Sequence, residues 1–436
     1  MAAGPGIETV FLILGGIILI GYFSELFAKK TNIPNVLLLL AIGYLLQVTG
    51  YVNAADLGGM MGIFATLALI ILLFEGGLSL NILDVLFKSG RVFLMAVGIT
   101  IACVLGGALV MKAFGFDWMV GAIVGALAGG IGSATTISVL RGLKVPGSIN
   151  LFLTLESSIT DVFSIVLTIV FTQSLLSGSI NALFIGQGII STFSVGLVFG
   201  VAAGIAGLFL FRKIEKGYYY MVVLALTLLL YAVAELFGGS GAIAVLILAI
   251  ILGNEGMIMK MFNQTQEKEE FRMMEFHSEI SFIVRTFFFA FLGAVVAFNS
   301  AWNFLIAVSL ILLFIALRYV VSFLVTKGTE LAAYQKLLTA INPRGLATAV
   351  LAIYPLAQFQ AYSRQHEIAG ADEISSQLSA LPEIAFYIIV LSIVMTAVLV
   401  PLVMNGRRKQ EIIPEPQATE TSYAKEGKTI RVLEKI

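Results

Sequence analysis

Apolar stretches separated by short polar or glycine-rich breaks recur along the whole chain. About thirteen of them suit a bilayer core, which takes about 20 apolar residues of helix. They begin near residues 7, 33, 60, 92, 119, 150, 183, 218, 241, 281, 302, 335 and 384. The pattern predicts an all-α polytopic membrane protein. Alternate connections carry the basic residues, among them Lys29, Lys30, Lys88, Arg91, Arg141, Lys144, Arg212, Lys213, Lys268, Arg272, Lys327 and Lys336. The opposite set holds only Arg364, with Lys112 at a helix end. By the positive-inside rule the first set is cytoplasmic, which puts the N-terminus outside and the C-terminus in the cytoplasm.

Two of these stretches are interrupted at their centres. The fifth reads ALAGGIGSATTISVLRGL, with Gly129, Gly130 and Gly132 before Ser133, Thr135 and Thr136. The twelfth reads LLTAINPRGLATAVLAIYPL, with Asn342, Pro343 and Gly345 at its middle. They are an odd number of spans apart, so they cross the membrane in opposite directions. Such a pair is the sign of an inverted repeat with two crossed discontinuous helices. Close packing of glycines between ordinary helices is the competing reading.

The sixth span, from about Leu151 to Phe171, carries Glu156 and Asp161 near its middle. An ionisable group at that depth costs at least about 2.5 kcal/mol, so a functional role is the default expectation. At about 100° per residue, Glu156 and Thr160 lie about 40° apart, as do Ser157 and Asp161, and the two pairs face about 100° from each other. Asp161 with Ser157 is assigned to an ion cavity, and Glu156 with Thr160 to a supporting contact. The expected partner of Glu156 is Arg344, since a buried guanidinium keeps its proton and requires a carboxylate or several carbonyls. Spacing alone leaves the opposite assignment open, with Glu156 as the transporting carboxylate.

Other charges are less telling. Glu75, in the third span, either lines the inner entrance of the ion path or reaches interfacial water. Arg285 in the tenth span either lines the cavity or snorkels. Arg318 in the eleventh reads as a packing or snorkelling group, and Glu235 as interfacial. His277 and His366 read as exposed residues flanking the spans. The stretch from Met257 to Glu279 reads as a connecting helix, with an amphipathic surface helix as the alternative.

Composition narrows the class further. The chain is 59% hydrophobic and 12% charged, with a mean hydropathy of +1.00, which excludes a soluble globular domain. A formal net charge of +0 and a single cysteine, Cys103, leave no basic face for nucleic acid and no disulfide or thiolate metal framework. The N-terminal MAAGPGIETV shows no signal-peptide pattern. Residues 1–405 are expected to form the transmembrane domain, and 406–436 a flexible polar tail. GGIGS lacks the following Lys-Ser/Thr of a nucleotide loop, and no triad or zinc spacing is present.

At FEGG (Phe74 to Gly77), SATT (Ser133 to Thr136), ESSITD (Glu156 to Asp161), RTFFFAFLG (Arg285 to Gly293) and NPRGLATAV (Asn342 to Val350), the chain resembles the monovalent cation/proton antiporter superfamily. The match is to its sodium/proton exchangers, with features of the potassium/proton branch. The resemblance implies no enzymatic activity and no cofactor. It implies a homodimer in a prokaryotic plasma membrane, in which a core moves against a dimerisation region and carries Na+ or K+ against H+ by alternating access. It implies that Asp161 binds cation and proton in turn, and that Glu156 pairs with Arg344. Ser157, Thr135, Thr136 and Glu75 are the further expected ion or proton ligands, with Asp161, Ser157 and Thr135 holding the metal ion. Thr160, Asn342 and Arg285 are supporting residues.

Two positions depart from the family pattern. Thr160-Asp161 stands where electrogenic members have Asp-Asp and electroneutral ones Asn-Asp. Thr135-Thr136 stands where sodium exchangers often have Thr-Asp. Asp161 is left as the one clear carboxylate of the central cavity. If it crosses only when neutralised by a proton or a cation, exchange is one for one and electroneutral. A cation channel, a sodium-coupled symporter and an intramembrane enzyme are the competing classes. Broken antiparallel repeats suit alternating access better than a channel, and neither an organic-substrate binding set nor a catalytic pair is found.

Overall fold

The computed structural model describes residues 7–31, 35–50, 61–80, 90–141, 143, 145–177, 182–211, 218–261, 270–295, 300–364 and 370–408. The chain begins with α1 (Ile7–Thr31), α2 (Asn35–Val48), α3 (Met61–Ser79) and α4 (Gly90–Ala113). The first interrupted segment is α5 (Trp118–Leu127) and α6 (Ser133–Arg141). Then come α7 (Gly147–Ser177), α8 (Ala182–Phe211), α9 (Tyr219–Leu236), α10 (Gly241–Gly253), α11 (Glu255–Met261), α12 (Glu270–Val295) and α13 (Ala301–Thr326). A 3-10 turn, Glu330–Tyr334, leads into the second interrupted segment, α14 (Gln335–Ala340) and α15 (Leu346–Ser363). The short α16 (Ala371–Ser379) precedes α17 (Leu381–Arg408).

Among the described residues each apolar stretch read from the sequence is helical, apart from the breaks at the centres of the fifth and twelfth. Among the described residues, five helical stretches are long and apolar enough to cross a membrane: Gly90–Ala113, Gly147–Leu176, Ile190–Leu210, Ala301–Thr326 and Ala371–Met404, with shorter apolar helices besides. Two elements differ from expectation. Residues 270–279, expected within a connecting helix from Met257 to Glu279, are instead the first turns of α12, continuous with its span. The connection after α15 contains α16, whose first turn holds Asp372 and Glu373 and whose Leu378 is buried. The tail beyond Arg408, Lys88, Lys144, Arg212, Lys213, Lys268 and His366 lie outside the described residues.

Packing follows from small residues that let backbones approach. α2 lies along α12, where a methyl on Gly43 would collide with the Ala290 carbonyl and one on Gly293 with that of Leu40. α4 lies along α5 through Gly107 and Gly125, and α10 packs on both α8 and α3. Large apolar side chains such as Leu105, Leu109 and Leu324 stay 61%, 60% and 65% exposed, the lipid-facing surface of a membrane protein.

The two breaks meet at the centre of the fold. Gly132 donates its N–H to the Pro343 carbonyl at 2.8 Å. A methyl on Gly132 would lie 2.8 Å from the Gly345 Cα, and one on Gly345 would lie 3.1 Å from the Gly132 Cα. Neither glycine has a positive φ. Their role is close approach of two chains. Gly132→Ala is expected to cost about 3 kcal/mol or more, because backbone has to move. Gly147→Ala, with nothing within 4 Å of the new methyl, is expected to be neutral. Thermal unfolding of the two variants in detergent checks the contrast, and equal midpoints refute the contact.

Candidate functional site

Four helix ends converge on the Gly132–Gly345 contact: the C-termini of α5 and α14 and the N-termini of α6 and α15. Each brings carbonyls or N–H groups without intrahelical partners, and with them the partial charges of helix dipoles. The side chains around the crossing answer those groups one by one. The Leu127 carbonyl of α5 accepts the Thr348 hydroxyl at 3.0 Å. The Gly130 carbonyl accepts Nη1 of Arg344. The Leu338 carbonyl of α14 accepts Nε of Arg318 at 2.8 Å. Hydroxyls of α17 take the N–H groups of the second break, Thr396 that of Asn342 at 3.3 Å and Ser392 that of Arg344 at 2.9 Å. Cationic groups thus sit at carbonyl ends.

The anion sits at an amide end. Oδ2 of Asp161 accepts the N–H of Ser133, the first residue of α6, at 3.2 Å. Its side chain is half-buried and has no ion pair among the described residues. Glu75 is exposed and lies within electrostatic reach of Asp161, as does Arg344. Ser157, one turn before Asp161, is 0% exposed and donates its hydroxyl to the Thr154 carbonyl at 2.9 Å, which leaves its oxygen lone pairs free to accept. Thr135 and Thr136 fall in the first turn of α6, both buried, and Oγ1 of Thr136 has no hydrogen-bond partner among the described residues.

Glu156 points elsewhere, and the expected pairing with Arg344 is corrected. Its carboxylate is held by Arg318 of α13, Nη1 to Oε1 at 2.6 Å and Nη2 to Oε2 at 3.0 Å, with both side chains 0% exposed. Arg318 therefore neither snorkels nor merely packs. The reason is geometric: its planar fork meets both carboxylate oxygens while its Nε caps α14, so every guanidinium nitrogen is used. Arg344 is left on the α5 carbonyl end, with its Cζ 5.6 Å from the Phe314 ring. Its Nε and Nη2 have no hydrogen-bond partner among the described residues.

The supporting residues are spread around this frame. Thr160 is 0% exposed, donates to the Ser157 carbonyl at 3.2 Å and accepts the Ile131 N–H at 3.3 Å, so it holds the first break against α7. Asn342 is buried within the second break, its Oδ1 without a hydrogen-bond partner among the described residues. Arg285 is half-buried on α12, which packs on α2 and α3, and among the described residues it takes no part in the hydrogen bonds of the crossing. Glu235 is exposed and caps α10 through the Gly241 N–H at 2.8 Å. Sequence reasoning missed Arg318, Ser392 and Thr396. A buried basic residue well inside an apolar helix was the available signal for the first; isolated hydroxyls gave none for the others.

Residues 15–405 match the family described as sodium/hydrogen exchanger, transmembrane. The chain belongs to that family. As a family member it resembles a K(+)/H(+) antiporter NhaP of Alkalimonas amylolytica, 24% identical over 80% of this chain and 61% of the relative. A K(+)/H(+) antiporter NhaP2 of Shewanella sp. (strain MR-4) is 25% identical over 57% of this chain and 44% of its own. This exchanger-family chain therefore spans about half to three-fifths of the length of those relatives. A probable Na(+)/H(+) antiporter 2 of Methanocaldococcus jannaschii is 26% identical over 64% of this chain and 69% of the relative. Among solved structures, the sodium proton antiporter MjNhaP1 from the same organism, at pH 8, superposes with a TM-score of 0.74. It is 21% identical and is covered completely by 90% of this chain. The fold is the antiporter fold, and the protein is a multi-pass integral membrane protein of a transporter family.

The pairing at the crossing has a measurable cost. Arg318→Ala leaves Glu156 as an unpaired buried charge and is expected to destabilise the protein by about 3–5 kcal/mol. The double variant Glu156→Gln/Arg318→Met should recover most of that loss. Thermal unfolding of detergent-purified protein reads both, and an Arg318→Ala protein as stable as the parent refutes the pairing.

Proposed function

We propose that this protein exchanges Na+ or K+ for protons across a prokaryotic plasma membrane by alternating access, with Asp161 as the group for which cation and proton compete. The observation that carries the reading is the contrast between two carboxylates on one helix. Glu156 is fully buried and fixed by Arg318; Asp161 is half-buried and, among the described residues, has one N–H donor and no ion pair. A carboxylate in that situation is neutralised by whatever small cation reaches it, and a metal ion and a proton exclude each other there.

Alkali ions take hard oxygen donors. Ser157, Thr135 or Thr136, and water complete the shell of the transported ion, and Glu75 lines the approach. The Ser133 amide end of α6 offsets the carboxylate charge between loads. With one carboxylate loaded by one proton or one cation, each half-cycle carries the same charge and exchange is electroneutral. Arg344 and Arg318 hold the frame, and neither is a ligand. The working unit is a homodimer, with residues 1–405 as the transporting domain, the N-terminus outside, and the tail from 406 in the cytoplasm. K+ in place of Na+ is favoured by Thr135-Thr136, which adds no second acid, and by the names of the bacterial relatives.

Proton flux in proteoliposomes tests the reading, with Na+, K+ and Li+ gradients applied in turn, with and without a potassium-valinomycin voltage clamp. Asp161→Asn is expected to abolish cation-driven proton movement while leaving the fold intact, and full residual exchange would sink the assignment. A flux that scales with membrane potential would overturn electroneutrality.

A further inference from the structure

α7 carries polar side chains at Thr154, Ser157, Asp161, Ser164, Thr168 and Thr172. At about 100° per residue these fall within an arc of about 80° and extend about 27 Å along the helix. The face that presents Asp161 thus stays polar on both sides of the carboxylate. Its two halves differ in exposure. Thr154 and Asp161 are half-buried, with the fully buried Ser157 between them, while beyond Asp161 every member of the row is buried: Ser164 and Thr168 are 0% exposed and Thr172 is 1% exposed.

The sealed half is not satisfied. Thr172 turns its hydroxyl back onto the Thr168 carbonyl at 2.7 Å, the usual resort of a hydroxyl in an apolar helix. Ser164 Oγ and Thr168 Oγ1 do not, and neither has a hydrogen-bond partner among the described residues. The Ser164 hydroxyl is aimed at the first break, where a methyl on Gly130 would lie 2.7 Å from it. A buried hydroxyl without a partner is costly, and water is the group that ordinarily satisfies it. Side chains chosen for apolar packing alone would be alanine or valine here.

We propose that Ser164, Thr168 and Thr172 line a hydrated leg by which proton and monovalent cation reach Asp161 from the C-terminal end of α7, and that this leg is closed in the conformation described. The ligands of the leg are water and the hydrated cation. When the leg opens, water takes up the free hydroxyls of Ser164 and Thr168; when it closes, they are stranded. The inference rests on Asp161 as the exchange site.

Single cysteines test it. Thr168→Cys, Thr172→Cys and, on the opposite face, the half-buried Val170→Cys are placed in a Cys103→Ala background, reconstituted, and treated with a charged membrane-impermeant methanethiosulfonate under proton-loaded and cation-loaded conditions. Such reagents need a thiolate in water, so positions 168 and 172 are expected to react at least about tenfold faster than 170 in one ionic condition and to slow in the other. Rates at 168 and 172 no faster than at 170, in every condition that supports exchange, overturn the proposal. Thr168→Val and Thr168→Ser give a second reading that does not depend on the cysteines. Slowed exchange in the valine variant, restored in the serine variant with unchanged half-saturation by cation, is the expected pattern, and equal rates in both count against the leg. Asp161→Asn in the same vesicles separates the two readings. Retained exchange there breaks the underlying assignment, whereas unreactive cysteines beside an inactive Asp161→Asn reject the leg alone.

Discussion

Unwound backbone in the middle of a bilayer has no water to turn to, and this constraint governs the structure. Breaking two helices at one depth frees carbonyls on one side of each break and amides on the other. In this protein Arg318 closes on a carbonyl of α14 and Arg344 on the Gly130 carbonyl of the first break, Asp161 closes on the first amide of α6, and hydroxyls of α17 and α15 take three more of the freed groups. The charged side chains are therefore part of the helix-end electrostatics before they are part of any transport chemistry. Glu156 completes the set by neutralising Arg318, which no helix end compensates fully.

How much of this was legible before the structure depended on how local the controlling physics is. Helical periodicity is local, and it separated Glu156 and Asp161 onto different faces of α7; the crossing uses them differently, one toward Arg318 and one toward Ser133. Choice of partner is not local. Arg318 and Arg344 are both buried at the crossing, and which of them meets Glu156 depends on how α13 packs beside α14. Reading depth from distance to a span end also misjudged Arg318, whose stem runs inward to a carboxylate and a carbonyl instead of outward to water.

The fold was readable for a related reason. Hydropathy reports residence in lipid, and it located the apolar stretches because the bilayer imposes one length scale on all of them. It does not report where a helix starts. The charged beginning of α12 continues the same hydrogen-bonded ladder out of the apolar zone, and α16 is too short and too polar to register at all.

The contact of Gly132 with Gly345 has a consequence for how such a protein changes over time. Because Gly132 has no room for one more carbon and Gly345 has room only if its neighbour yields a few tenths of an ångström, the frame admits little graded variation. Thr136 and Thr160 stand beside that frame, the first with a hydroxyl that has no partner among the described residues and the second holding the Ile131 N–H, so a substitution at either changes the polarity next to the joint without adding a carbon to its glycines. Divergence in ion preference within one architecture then has its substrate in such hydroxyl positions, beside a joint that tolerates little change.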